Sequence, residues 1–117
     1  MNNKDKKINL LKTMVESIEN INLYIEAIVN KLYEGDEKIA CEGLAFISEE
    51  LQWIFKGLDI TSDIFDSNDI ATNILEQFAE IVSAMENEDY ILVADMLNYE
   101  VKPLLEELIK SIKETIQ

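Results

Sequence analysis

Residues 86–110, ENEDYILVADMLNYEVKPLLEELIK, decide the fold. Tyr90, Val93, Leu97, Val101, Leu104 and Leu108 recur at steps of 3, 4, 4, 3 and 4. At about 100° per residue they form one stripe along a helix. Leu92, Met96, Tyr99 and Pro103 form a second stripe, at steps of 4, 3 and 4, on nearly the opposite side. A surface helix of a small domain needs a single apolar stripe. Two stripes mean cover on both sides, by the chain itself or by a partner. Beyond Pro103 the second side becomes Glu107 and Lys110, so that stripe has a definite end.

The first stripe runs straight through Pro103, so the helix is expected to continue and to bend there. Proline removes one hydrogen bond and crowds the carbonyl four residues back, that of Tyr99. In a helix interior this costs about 3 kcal/mol. Two readings stand: curvature that wraps the helix round a bundle, or a shaped surface made by Leu92, Met96, Tyr99 and Pro103. Asp95 lies within that second face and needs a partner if the face is buried.

Three further helices follow from the same periodicity. The first spans about 4–34, with Leu11, Met14, Ile18, Ile21, Ile25 and Val29 at steps of three and four and Gly35 as its stop. The second spans 36–57, capped by Asp36, with Ala40, Leu44, Ile47, Leu51, Ile54 and Leu58 in its core row. DITSDIFDSN (59–68) reads as a loop, with Ile60, Ile64 and Phe65 tucked onto the bundle. The third spans 68–86 and the fourth 89–115. Four amphipathic helices with short connections predict an all-α fold, an antiparallel four-helix bundle with a proline-bent last helix, in one domain over 1–117.

Phe46 and Trp53 stand seven residues apart on the second helix, away from its core row. They are either buried against a second neighbour or anchors for a partner. Asn22 interrupts the core row of the first helix, where a polar residue fixes register or oligomer state, or else meets water at an edge. Cys41, beside the core row, reads as a small packed hydrophobe.

A hydrophobic share of 48% in 117 residues argues for a folded domain over disorder. The formal charge is −14, and no Lys or Arg occurs between Lys56 and Lys102. Binding to phosphates needs cations, so nucleic acid and anionic membranes are poor partners. The acidic stretch is either a solvated face or a docking surface for a basic partner. MNNKDKKINLL is basic but carries no h-region or cleavage site, so no signal peptide is read there. With a single cysteine, the cytoplasm is the expected location.

Enzymatic apparatus is missing. There is no histidine, hence no imidazole base or ligand, and Gly35, Gly43 and Gly57 are too scattered for a phosphate loop. Asp59, Asp63, Asp66 and Asp69 lack the glycine turn and alternation of a calcium loop. No cofactor is expected. The alternative to a non-catalytic protein is an acid-only, metal-dependent hydrolase of the all-α type, using Asp and Glu across facing helices.

Two stretches carry a resemblance: LYIEAIVNKLYEGDEKIACEGLAFISEELQWIFKGL (23–58) and ENEDYILVADMLNYEVKPLLEEL (86–108). In the second, the order Asp89-Tyr90, Ala94-Asp95-Met96-Leu97 and Tyr99-Glu100-Val101-Lys102-Pro103-Leu104 resembles an uncharacterised family of small acidic helical proteins from Gram-positive bacteria. That resemblance implies no activity. In size, acidity and layout the chain is also similar to flagellin-type export chaperones, which cradle a helical terminus. Fold analogy does not establish function. The expectation is a protein-interaction or chaperone-like bundle that binds a protein partner or itself, as a homodimer in the simplest case. Leu92, Met96, Tyr99 and Pro103 are the expected contacts, with Phe46 and Trp53 as further anchors.

Overall fold

Short polar side chains start the helices. In the computed structural model, which describes residues 2–117, the Asn2 side chain accepts from the Asp5 backbone N–H at 2.8 Å and opens α1 (Asn3–Tyr33). Asp36 accepts from the Ile39 N–H at the start of α2 (Glu37–Ile60). Asp89 accepts from the Leu92 N–H at 3.2 Å at the start of α4 (Tyr90–Met96). Each cap satisfies one of the donors that a first helical turn leaves unpaired. α3 (Asn68–Glu86) has no cap from Ser67; Asp66 accepts from the Asn68 N–H at 3.1 Å instead. Gly35, at φ +91°, turns the chain from α1 into α2. Every regular element among the described residues is helical, as the periodicity predicts.

α1 is the spine. At about 1.5 Å per residue it is some 45 Å long, close to the 49 Å long dimension of the molecule. Along α2, Gly43 faces Ile28 and Gly57 faces Met14, so the two helices run in opposite directions. The last helix runs opposite to α1 as well: Tyr33 meets Asp95, Glu26 meets Lys102, and Glu19 meets Lys113 at 3.4 Å. α3 packs back along α4 and its continuation. The core is filled from α1 by Leu11, Met14, Ile18, Ile21, Ile25 and Ile28, all at most 2% exposed.

Three expectations need correction. α2 does not stop at Gly57 but runs on to Ile60. Gly57 is there for close approach: a Cβ on it would sit 2.6 Å from the Met14 sulfur. The helix ends instead at Thr61, whose buried hydroxyl donates to the Gly57 carbonyl at 2.9 Å. Ile60 therefore lies on the outer side of the helix and is exposed, while Phe65 is buried and Ile64 half-buried. Cys41 is exposed, not packed. α2 packs mainly along α1, and its end meets the start of α3, so its buried arc is narrower than that of a helix packed along two neighbours.

The last helix carries the largest difference. Between α4 and α5 (Lys102–Ile116) the chain forms a π-helical turn over Leu97–Val101, closed by the Lys102 N–H donating to the Leu97 carbonyl. Its buried row is Val93, Leu97, Val101, Leu105, Leu108 and Ile112, with Leu105 in the core and Leu104 only half-buried. In an unbroken α-helix at about 100° per residue, Val93 and Ile112 would face directions about 100° apart. The wider turn absorbs one residue and brings the row back into line. Pro103 lies directly after the π turn, in a stretch whose backbone is helical on both sides.

Asn22 is 8% exposed, and its side-chain oxygen is buried without a hydrogen-bond partner. Between Glu19 and Glu26, which reach α5, it occupies the seam between the spine and α5. The edge-of-water reading does not apply.

Candidate interaction furrow

One face of α3 and one face of the last helix wall a furrow open to solvent. Its upper hollow, about 420 Å³, lies between Gln77, Glu80, Ala84 and Asn87 on one side and Leu92, Met96 and Glu100 on the other. A second, about 280 Å³, shares Gln77 and Glu100 with it and adds Asn73, Tyr99, Pro103, Leu104 and Glu107. A third continues past Glu107 to Asp66, Asp69 and Ile70 at the start of α3. Asn73, Gln77, Glu80, Ala84 and Asn87 recur at steps of three and four, so they form one stripe of α3.

All four residues of the second stripe wall this furrow. Met96 is buried at 8% exposure, whereas Leu92 and Tyr99 remain 44% and 67% exposed. Pro103 is exposed too. The stripe is thus covered at its centre by the chain and open on either side. The π turn contributes directly, because Tyr99 and Glu100 belong to it and both stand out into the furrow.

The remaining expected contacts are elsewhere. Phe46 meets Tyr24 edge-on, with ring centroids 4.5 Å apart, in a groove between α1 and α2 that shares no residue with the furrow. Trp53, on the same helix, is 41% exposed. These two aromatics form a separate surface patch and do not join Leu92, Met96, Tyr99 and Pro103. Another hollow, about 490 Å³, lies where the end of α2 meets the start of α3. Its wall mixes Phe55, Leu58, Phe65 and Leu75 with Asp59, Ser62, Asp66 and Asn68, and it shares no residue with Leu92, Met96, Tyr99 or Pro103.

Asp95 does not join the second stripe in the furrow: it accepts a hydrogen bond from the Tyr33 hydroxyl of α1 and lines none of the furrow's three hollows. That bond, then burial and the Asp95 charge, push the Tyr33 phenol up to about 12. Burial, then the charges of Glu37 and Glu88, also raise the Tyr90 phenol. Lys7 donates to Asp63 at 2.9 Å and holds that carboxyl below its ordinary range.

The charges of the furrow are one-sided. Glu80, Glu100, Glu107, Asp66 and Asp69 line it, and no Lys or Arg does. α3 contains no base at all. Two lysines of the last helix are engaged on the α1 side, Lys102 with Glu26 and Lys113 with Glu19. Lys110 lies one helical turn beyond Glu107. Among the described residues no group of three or more Asp, Glu, Cys or His side chains is arranged to hold a metal ion. No helix among them is long and apolar enough to cross a membrane.

The fold and this surface define a small acidic all-α bundle with an open furrow along one seam. The chain belongs to the family described as Domain of unknown function (DUF8042), whose model matches residues 9–111. The match takes in both stretches that carry the resemblance to an uncharacterised helical family. No curated protein and no solved structure matches the chain.

Proposed function

We propose that the chain is a non-catalytic, cytoplasmic protein-interaction module, chaperone-like in layout, that binds a protein partner along the furrow between α3 and the last helix. The observation that carries this reading is the exposure of Leu92 and Tyr99 on either side of the buried Met96, in a furrow that also includes Pro103. Aromatic and aliphatic side chains held at the edge of a hollow are the usual anchors of protein contacts. Phe46 and Trp53 offer a secondary surface on the α1–α2 side.

The test uses the tagged full-length protein and the double variant Leu92→Ser/Tyr99→Ser, which changes only exposed side chains and leaves Met96 in place. Captured proteins are compared by mass spectrometry, and light scattering follows the oligomeric state. A species retained by the wild type and lost in the variant supports the reading. Identical capture by both proteins, with an unchanged oligomeric state, overturns it.

A further inference from the structure

We infer that the occupant of the furrow is a cationic amphipathic helix supplied by a different protein; this rests on the protein-binding reading above and names the partner's chemistry. Three features lead there. The hollows of the furrow follow one another along α3, from Asp66 and Asp69 at its start to Asn87 at its end, and α3, of 19 residues, is about 28 Å long at 1.5 Å per residue. The furrow's walls are helices whose backbone groups already bond internally, so an extended strand would find no main-chain partners, whereas a helix brings its own satisfied. Its floor is apolar at the buried Met96, with Leu92 and Pro103 exposed beside it, and its rim is acidic, through Glu80, Glu100 and Glu107.

That pairing of floor and rim selects one occupant. An apolar stripe on the incoming helix covers the floor, and Lys or Arg on its flanks meet the rim carboxylates. A second copy of this chain is a poor fit, because face-to-face docking sets acid against acid in a protein of net charge −14. Nucleic acid is repelled by the same field. No lysine of the chain lines the furrow, so these carboxylates have no internal ion-pair partner to displace.

The experiment titrates the full-length protein with two fluorescein-labelled synthetic helical peptides of about 20 residues, matched to the length of α3. Both carry a leucine stripe at helical spacing; one has lysines on its flanks, the other glutamates. Anisotropy is read at about 50 and 300 mM salt, on either side of the point where screening becomes strong. The lysine peptide binds at least about tenfold more tightly than the glutamate peptide, and loses about tenfold at the higher salt. Glu80→Gln/Glu100→Gln weakens it about tenfold, while Glu42→Gln/Glu49→Gln, an equal charge change on α2, alters it less than about twofold.

Equal affinity for the two peptides, no binding of either, or equal loss in both double variants overturns the cationic helix. If Leu92→Ser/Tyr99→Ser still abolishes capture of a cellular protein in that case, the protein-binding reading survives and only the partner's chemistry is wrong. Loss of both results removes both.

Discussion

α1 and α3 are built from the same kind of amphipathic sequence yet sit in the bundle very differently. α1 buries residues on several sides, from Leu11 to Leu32, and faces both α2 and the last helix. α3 buries only Ile74, Ile81 and Ala84, leaving Ile70, Phe78 and Met85 half-covered and Leu75 and Val82 exposed. On the α1–α2 side Gly43 and Gly57 let the helices approach closely, leaving a smaller groove at Tyr24 and Phe46, and a Cβ on Gly43 would meet Ile28 at 2.4 Å. On the α3 side there is no such glycine, and the π turn pushes Tyr99 outward. The closed side supplies stability and the open side supplies surface. The difference follows from side-chain size at the seam and from one additional residue in the last helix.

The strongest way to break this comparison is to move a residue in the last helix. Deleting Glu106 turns Leu108 and Ile112 off the core, at about 1.5–3 kcal/mol each. Deleting Asn98 instead removes the surplus residue of the π turn and restores the core row to steps of 4, 3, 4, 3 and 4. That variant stays folded within about 1 kcal/mol of the wild type and loses the outward Tyr99. Urea denaturation followed by circular dichroism reads both, and equal destabilisation would remove the surplus-residue account.

Truncation contrasts the two helices themselves. Ile25→Ala on the spine costs about 2–5 kcal/mol, whereas Leu75→Ala on α3 stays within about 0.5 kcal/mol. Comparable losses at the two positions would mean that α3 is held as firmly as α1. Asn22→Leu sharpens the spine from the other direction. It replaces a buried amide oxygen that has no partner by an isosteric apolar group, and raises stability by about 1–2 kcal/mol. A loss of stability would assign that oxygen a hidden hydrogen-bond role.

The smallest effect concerns the link between α1 and α4. The Tyr33 phenol is raised to about 12 in the folded protein by its bond to Asp95 and by burial. The folded state thus favours the protonated phenol, and this contribution is complete below the ordinary tyrosine value near 10. It is lost as pH rises from there through about 12. Ultraviolet titration of native protein should show one phenol ionising last, absent from Tyr33→Phe; an unchanged titration curve contradicts the assignment.

Much of the helix layout can be read from the periodicity, because a stripe at steps of three and four has one geometric solution. α3 begins and ends where its stripe does, at 68 and 86, and Asp36 caps α2 as its chemistry suggests. The misreadings share a cause: they depend on what lies across a seam. Gly57 looks like a stop until Met14 is set against it. Cys41 looks packed until α2 turns out to lie mainly along α1. The π turn did leave a signal, three successive steps of four from Val93 to Leu105, which drift about 40° each at 100° per residue. Choosing Leu104 over Leu105 hides that drift. Of the furrow, the apolar stripe was legible because it lies on one helix. Its acidic wall was not, since Glu80 and Glu100 come together only when α3 folds back.

The most direct test of the central claim is an amide chemical-shift map of the full-length protein during titration with the lysine-flanked peptide. With the peptide seated in the furrow, the shifts cluster on Gln77, Glu80, Leu92, Met96, Tyr99 and Glu100, along both of its walls. Shifts centred on Tyr24, Phe46 and Trp53, or spread without a centre over the acidic surface, would contradict it.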